Sequence, residues 1–283
     1  MLLKPGLYIV STPIGNFDDI TIRALDTLRK STLILCEDTR ISRKLLNKYE
    51  IDTRLLVYND HSDSVQRRNI CRHIDNGDII SLISDAGTPL ISDPGYKLVR
   101  ELRNLGYLVD IIPGVSSPIA ALTLSGLETD RFLFGGFLPK TIQGKEKVFA
   151  TFAKIEATLI FFDTAKRLPQ SLLAALKILG NREICVAREL TKFYQETKIG
   201  PINEITEFYQ NNPVKGEIVL LISRNQTVSD LESIAKDLKE LLISHLSKGL
   251  TAKTITAIAY QEFQKFYSKK DIYHMVNSMK QSE

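Results

Sequence analysis

Short apolar runs alternate along the chain with longer stretches in which apolar residues return every three or four positions, a rhythm that predicts α/β architecture. In the first part the apolar runs predict strands at Gly6–Ser11, Leu33–Cys36, Leu55–Val57, Ile79–Ser84 and Val109–Ile112. Helical periodicity between them predicts helices at Ile20–Lys30, Arg40–Tyr49, Ser64–Asp75 and Gly95–Leu105. The strands are apolar nearly throughout, as expected of a parallel sheet with helices on both faces.

After Pro113-Gly114 the alternation starts again. A helix at Pro118–Ser125 leads to strand Phe132–Phe134, then to the basic, glycine-containing stretch Pro139–Lys147, read as a mobile loop. Strand Thr158–Phe162, helix Ala165–Leu179, strand Glu183–Arg188, helix Ile202–Asn211 and strand Glu217–Ser223 follow. From Thr227 onward the strands stop, and Ser229–Ser247, Thr251–Phe266 and Ser268–Ser278 read as three helices opened by serine or threonine. The expected organisation is an α/β domain over 1–115, a second over 116–226 and a helical extension over 227–283. Thr251–Asn277 fits either a helix-turn-helix or a small helical cap. Eight Lys/Arg against seven Asp/Glu beyond residue 226 give a nucleic-acid reader little support.

In open α/β sheets ligands bind beyond the carboxyl ends of the strands, so residues that directly follow strand runs are the informative ones. Here four polar loops do so: Ser11–Asn16, Glu37–Arg40, Ser84–Gly95 and Pro113–Ser117. Gly15, Gly87 and Gly114 allow close backbone approach to a ligand. Asp85 and Asp93 are acceptors for an ammonium group or a ribose hydroxyl, and Pro13, Pro89, Pro94 and Pro113 stiffen the loops. Four such loops on one rim define a site. Neither GxGxxG nor GxxxxGK[ST] is present, which argues against a Rossmann dinucleotide fingerprint and a P-loop.

Composition adds boundaries rather than direction. With 283 residues, 43% hydrophobic and 25% charged, the chain can build a proper core. Cys36, Cys71 and Cys185 lie far apart without a CxxC, so neither disulfides nor a zinc knuckle are expected, and Cys36 and Cys185 read as core residues. His61, His73, His245 and His274 share no ligand spacing, and no metal is expected. No signal peptide is legible and no apolar run nears the roughly 20 residues of a membrane span, so a cytoplasmic protein is expected. A net charge of +4 is compatible with a polyanionic partner without demanding one.

Several motifs carry a family resemblance. Thr12-Pro13-Ile14-Gly15-Asn16, Glu37-Asp38-Thr39-Arg40, Ser84-Asp85-Ala86-Gly87-Thr88-Pro89 with Ser92-Asp93-Pro94-Gly95, and Ala187-Arg188-Glu189-Leu190-Thr191-Lys192 occur in family order. Together they resemble the ribosomal RNA small-subunit methyltransferase I family of the tetrapyrrole-methylase superfamily, over roughly residues 6 to 223. The resemblance implies 2′-O-methylation of a decoding-centre cytidine ribose in 16S rRNA, with S-adenosylmethionine as donor. It also implies a homodimer of two-domain subunits with the cofactor between domains, and 16S rRNA or the small ribosomal subunit as partner. Carried over by motif, the cofactor's neighbours are Pro13, Asp85, Ala86, Gly87, Ser116, Ser117, Phe162, Arg188, Glu189 and Leu190. The Glu37–Arg40 loop falls to the substrate side. Asn59 stands near Tyr58 where relatives usually have histidine, and Phe162-Asp163-Thr164 replaces a more usual tyrosine–glutamate–serine.

Methyl transfer to a ribose oxygen needs in-line placement and removal of one proton, for which Glu37, then Asp38, then His61 are the candidate bases. Thr39, Arg40, Arg43 and Lys44 on one loop, and Lys140, Lys145 and Lys147 on another, are candidates for gripping RNA. Two rival readings stand beside this one: a tetrapyrrole C-methyltransferase, and a helix-turn-helix regulator with an α/β sensor body.

Overall fold

Five all-apolar or nearly apolar segments build the first sheet: β1 (Gly6–Val10), β2 (Leu33–Cys36), β3 (Leu55–Val57), β4 (Ile79–Leu82) and β5 (Val109–Ile112). The computed structural model describes residues 2–59, 64–225, 228–264 and 266–281. All pairings in this sheet are parallel, in the order β3-β2-β4-β1-β5. Alternate residues serve opposite faces. Leu7, Leu33, Leu35, Ile80 and Leu82 pack against Ile70 and Ile74 of α3 (Ser64–Asp75) and Leu98 and Leu102 of α4 (Tyr96–Asn104). Tyr8, Val10, Ile34 and Cys36 meet Ala24 and Leu28 of α1 (Ile22–Lys30) and Leu46 of α2 (Thr39–Lys48) on the other face. The chain leaves β1 toward β2 on one side and passes from β4 across β1 to β5 on the other. The loops at those strand ends therefore part, which opens a crevice.

The second sheet is mixed rather than parallel. Helix α5 (Ser117–Leu124) leads into β6 (Phe132–Phe137), α6 (Ile142–Phe152), β7 (Thr158–Thr164), α7 (Leu168–Leu179), β8 (Glu183–Arg188), β9 (Glu196–Pro201), α8 (Ile202–Asn211) and β10 (Glu217–Ile222). The order is β6-β7-β10-β8-β9, with β10 antiparallel to both neighbours and β9 antiparallel to β8. One face carries Leu159, Phe161, Val186 and Leu220 against Phe149, Leu168, Leu172 and Ile205 of helices α6, α7 and α8. The opposite face carries Ile160, Cys185, Ala187, Val219 and Leu221 against Ala121 and Leu122 of α5 and, from the first lobe, Ile14. That shared core joins the two lobes.

Three expectations change here. Strand β9 has no apolar run to announce it, because it is a partly exposed edge strand. Strand β6 extends to Phe137 through a register shift after Phe134, where Gly136 takes φ +71°. The basic stretch 139–147 is not a mobile loop: Thr141 accepts a hydrogen bond from Gly144 N and so caps α6, which is helical from Ile142.

Residues 1–224 form one compact unit and 225–283 another. The second unit contains α9 (Val228–Leu246), α10 (Ala252–Phe263) and α11 (Lys269–Gln281), packed on Leu238, Leu242, Ile255, Phe263, Ile272 and Val276. Thr251 caps α10, accepting from Thr254 N at 3.2 Å. Among the described residues no helix is long and apolar enough to cross a membrane.

Candidate active site

The crevice between the lobes holds a cavity of about 380 Å3. Its first-lobe wall comes from the strand-end loops: Ile14, Glu37, Asp85–Thr88, Ile91–Asp93 and Ser116–Pro118. The second lobe contributes Phe137, Phe162–Thr164, Ala187, Glu189, Leu190 and Glu217–Val219.

Hydrogen bonds tie the first-lobe loops into one rim. Thr12 and Gly87 exchange backbone bonds of 2.8 and 3.0 Å. Ser11 and Thr88 hydroxyls lie 3.0 Å apart, and Thr88 Oγ1 donates to Val115 O at 3.0 Å. Asp38 N donates to Asp85 Oδ1 at 3.2 Å, bringing the loop after β2 to the loop after β4. Gly114 passes so near that an added Cβ would lie 2.9 Å from Ser11 Cβ. No side chain caps α5, so the start of that helix turns uncapped amide groups toward the same rim.

The electrostatics are set by carboxylates in restricted solvent. Burial pushes the Asp93 carboxyl up to about 6; Ser84 works against this, while Glu37 and Asp85 add repulsion. Asp85 is raised too, chiefly by burial, against the stabilising Asp38 N–H. Glu37 stands on the cavity wall with them. Such a pocket favours a cation. Asp38 differs: Arg40 side-chain and backbone donors pull its carboxyl down to about 2, and its Oδ1 accepts from Arg40 N at 2.8 Å as the cap of α2.

On the second lobe, burial alone would raise Glu189, but the Glu217 N–H and Lys192 ammonium overcome it and hold the carboxyl low. Lys192 Nζ bridges Glu189 at 3.0 Å and Glu217 at 2.7 Å. Phe162 packs edge-on against Phe134, ring centroids 4.9 Å apart, and touches Phe137 at 5.1 Å. Backbone strain gathers at this rim. Of the five non-glycine residues with positive φ among the described residues, Leu90, Ser92, Glu189 and Thr191 lie in its loops.

Eight of the ten residues named for the cofactor line the cavity: Asp85, Ala86, Gly87, Ser116, Ser117, Phe162, Glu189 and Leu190. Pro13 is buried behind the first loop. Arg188 turns aside, with Nε donating to Glu196 at 2.9 Å and Nη1 to Lys215 O at 3.2 Å. Of the candidate bases, Glu37 lines the cavity and Asp38 flanks it as a cap, while His61 lies outside the described residues. Thr39 opens α2; Arg40 and Lys44 are exposed, and Arg43 is half-buried near Asp52. Lys140 and Lys147 are exposed.

Lys145 is a correction. Its side chain is fully buried beneath the cavity floor, 3.3 Å from Asp163 Oδ2 and hydrogen-bonded to Ser171. It shares the inward face of α6 with Phe149, four residues on, and cannot reach a phosphate. Sequence reasoning also missed Phe137 and Glu217–Val219. Phe137 lies beyond the strand read from the sequence at Phe132–Phe134, past the register shift in β6. The Glu217 end had no local signal, because an antiparallel strand brings its beginning, not its end, to this rim.

The fold is that of a methylase class: residues 6–206 match the family described as Tetrapyrrole (Corrin/Porphyrin) Methylases. Solved structures agree on the fold, among them a diphthine synthase (TM-score 0.60, 12% identity, 80% of this chain and 92% of that one). Another is uroporphyrin-III C-methyl transferase from Thermus thermophilus complexed with S-adenyl homocysteine (TM-score 0.53, 19% identity, 77% and 97%). Similarity to proteins named ribosomal RNA small subunit methyltransferase I is much stronger. That of Rickettsia prowazekii is 63% identical over 280 residues, 99% of both chains, and that of Bacillus subtilis 38% identical over 271 residues, 94% and 92%. The chain therefore belongs to the ribosomal RNA small subunit methyltransferase I family.

Proposed function

We propose that this chain transfers a methyl group from S-adenosylmethionine to the ribose 2′-oxygen of a decoding-centre cytidine in 16S rRNA. The observation that carries the reading is Glu37: the carboxylate at the end of β2 shares one cavity wall with the cofactor-side loops Asp85–Thr88 and Ser116–Pro118.

The residues present fit the donor. Asp85, Asp93 and Glu37 suit its positive charges, the uncapped start of α5 suits its carboxylate, and Phe137, Phe162, Ala187, Leu190 and Val219 suit a flat nucleobase. When bound, the donor supplies an activated methyl group on sulfur. The chain's own work is then to hold the ribose in line and accept its proton. Positioning in favourable cases removes ~7–11 kcal/mol of barrier, and a general base adds about 10²–10⁴-fold. Glu37 is assigned as that base. Asp38, held at about 2 by Arg40, is a weak proton acceptor and better suited to fixing the loop. Arg43, Lys44, Lys140 and Lys147 are assigned to RNA phosphates.

The working form is taken to be a cytoplasmic homodimer. Edge strand β5 and helix α5 leave Ile111, Ile119 and Leu124 each close to half exposed, an apolar surface suited to a second copy. Sedimentation should give twice the chain mass, and Ile111→Lys should reduce it.

The deciding experiment maps 2′-O-methyl groups on small-subunit RNA from cells lacking this gene, complemented with the native chain or with Glu37→Gln. The native chain should restore one modification, while E37Q should lower the rate at least about 10²-fold. Methylation of uroporphyrinogen instead of RNA would establish the tetrapyrrole alternative, and unaltered RNA would end the proposal.

A further inference from the structure

The loop between β8 and β9 does something its anchoring does not explain. It is tightly built. Thr191 N donates to Gln195 Oε1 at 2.6 Å, Lys192 N to Glu189 O at 3.0 Å, and Gln195 N to Lys192 O at 3.1 Å. Glu189 and Thr191 both take positive φ, 49° and 62°. Thr191 Oγ1 accepts from Asn16 N at 3.0 Å, so the loop is pinned to the first lobe as well. Yet its tip turns two large aromatic rings to solvent: Phe193 is 93% exposed and Tyr194 68%. Their centroids lie 5.0 Å apart at 89°, an edge-to-face pair that leaves ring faces open.

Exposed rings on a stiff, strained support beside a cleft make a preorganised contact surface. The surroundings indicate what lands on it. Two exposed lysines sit on paired turns tied to the base of this loop: Lys215, whose carbonyl is held by Arg188 at the end of β8, and Lys166, next to Ala165, whose N–H donates to Gly216 O at 3.1 Å. Lys192, between the rings and the cavity, is already neutralised by Glu189 and Glu217. Open aromatic faces next to cations are how single-stranded nucleic acid is held without reading its sequence: bases stack and phosphates pair. A purely apolar partner would gain nothing from the lysines.

We propose that Phe193 and Tyr194 form a stacking platform for an unpaired base of the RNA substrate, next to the reacting nucleotide, with Lys166 and Lys215 meeting its phosphates. The proposal rests on reading the cleft as an RNA methyltransferase site, and it names where a flanking nucleotide binds.

The chain contains no tryptophan, so Phe193→Trp introduces a single reporter at the tip. Titrating this variant with a short single-stranded RNA oligonucleotide, and separately with small ribosomal subunits, should quench its emission as a base stacks on the indole. In parallel, the double variant Phe193→Ala/Tyr194→Ala should raise KM for small subunits about ten-fold or more while S-adenosylmethionine affinity and Tm stay native. Phe193→Trp and Tyr194→Phe should keep the native KM. Bound RNA without quenching, or an unchanged KM in the double alanine variant, overturns the platform. So does a fall in sedimentation mass of that variant, which would assign the rings to contact between copies. If RNA quenches the reporter but the native chain methylates no RNA, the platform stands and the proposed reaction falls.

Discussion

The ammonium of Lys145 lies 3.3 Å from Asp163 Oδ2, and both side chains are fully buried. Arg167 Nε donates to the other carboxylate oxygen at 2.8 Å, and Ser171 joins both partners. Breaking a buried pair from one side leaves an uncompensated charge, which costs about 3–5 kcal/mol. Asp163→Ala strands Lys145 and should show that full loss. Lys145→Met leaves Asp163 with Arg167 and Ser171 and should cost less. Urea midpoints of the two variants test the order, and the reverse ranking would refute it.

Asp93 couples the cleft to pH. Its carboxyl titrates near 6 in the folded chain, chiefly through burial, against about 3.9 unfolded. Between those values the folded state holds a proton that the unfolded state has released, so stability falls as pH rises from about 4 through about 6. Asp93→Asn should flatten that slope.

The same carboxyl should respond to the charge of the ligand. A cationic donor favours ionised Asp93, so S-adenosylmethionine should bind progressively more weakly below pH 6, by at most about ten-fold per pH unit for one linked proton. Its demethylated product, lacking the sulfonium charge, should show a shallower dependence. Calorimetry on both compounds between pH 5 and 8 checks this, and equal slopes would rule it out.

Gly15 lies tightly against the second lobe. A Cβ there would lie 2.6 Å from Lys192 Cγ, 2.8 Å from Thr191 Oγ1 and 2.9 Å from Leu190 O. The lysine can swing away, but the backbone carbonyl cannot. Gly15→Ala should therefore spread the cleft and weaken donor binding about ten-fold or more, since 1.4 kcal/mol is already that factor. Circular dichroism should remain native.

If the lysines assigned to phosphates act as such, removing each should change the salt dependence and not only the affinity. Lys44→Ala and Lys140→Ala should each reduce the slope of log K against log salt by about 0.7 for single-stranded RNA. Lys177→Ala serves as a control, because that ammonium is paired with Glu146 at 2.8 Å.

The first lobe was largely legible because its central strands are buried on both faces and its cavity-lining residues follow strand ends directly. Leu33–Cys36, for example, is buried at every position and runs straight into Glu37. The second lobe was less so. Glu196–Pro201 alternates between half-buried and exposed residues and contains Gly200 and Pro201, so nothing local marks it as a strand. Glu217–Val219 reach the site only through antiparallel pairing with β7, a non-local fact. Lys145 was misread because lysine and glycine content outweighed the four-residue spacing to Phe149 that turns it inward. The first-lobe loops that line the cavity were the easiest part of it to read, since their residues are contiguous in sequence.

Burial of the three thiols shapes how the cleft can be watched. Cys36 and Cys185 have no solvent exposure and Cys71 only 8%. Alkylating reagents should leave the folded native chain nearly untouched. One cysteine placed at Lys44 and another at Lys140 would then carry a pair of spin labels on an otherwise silent background. The distance between those labels would report any opening or closing of the two lobes as ligand enters.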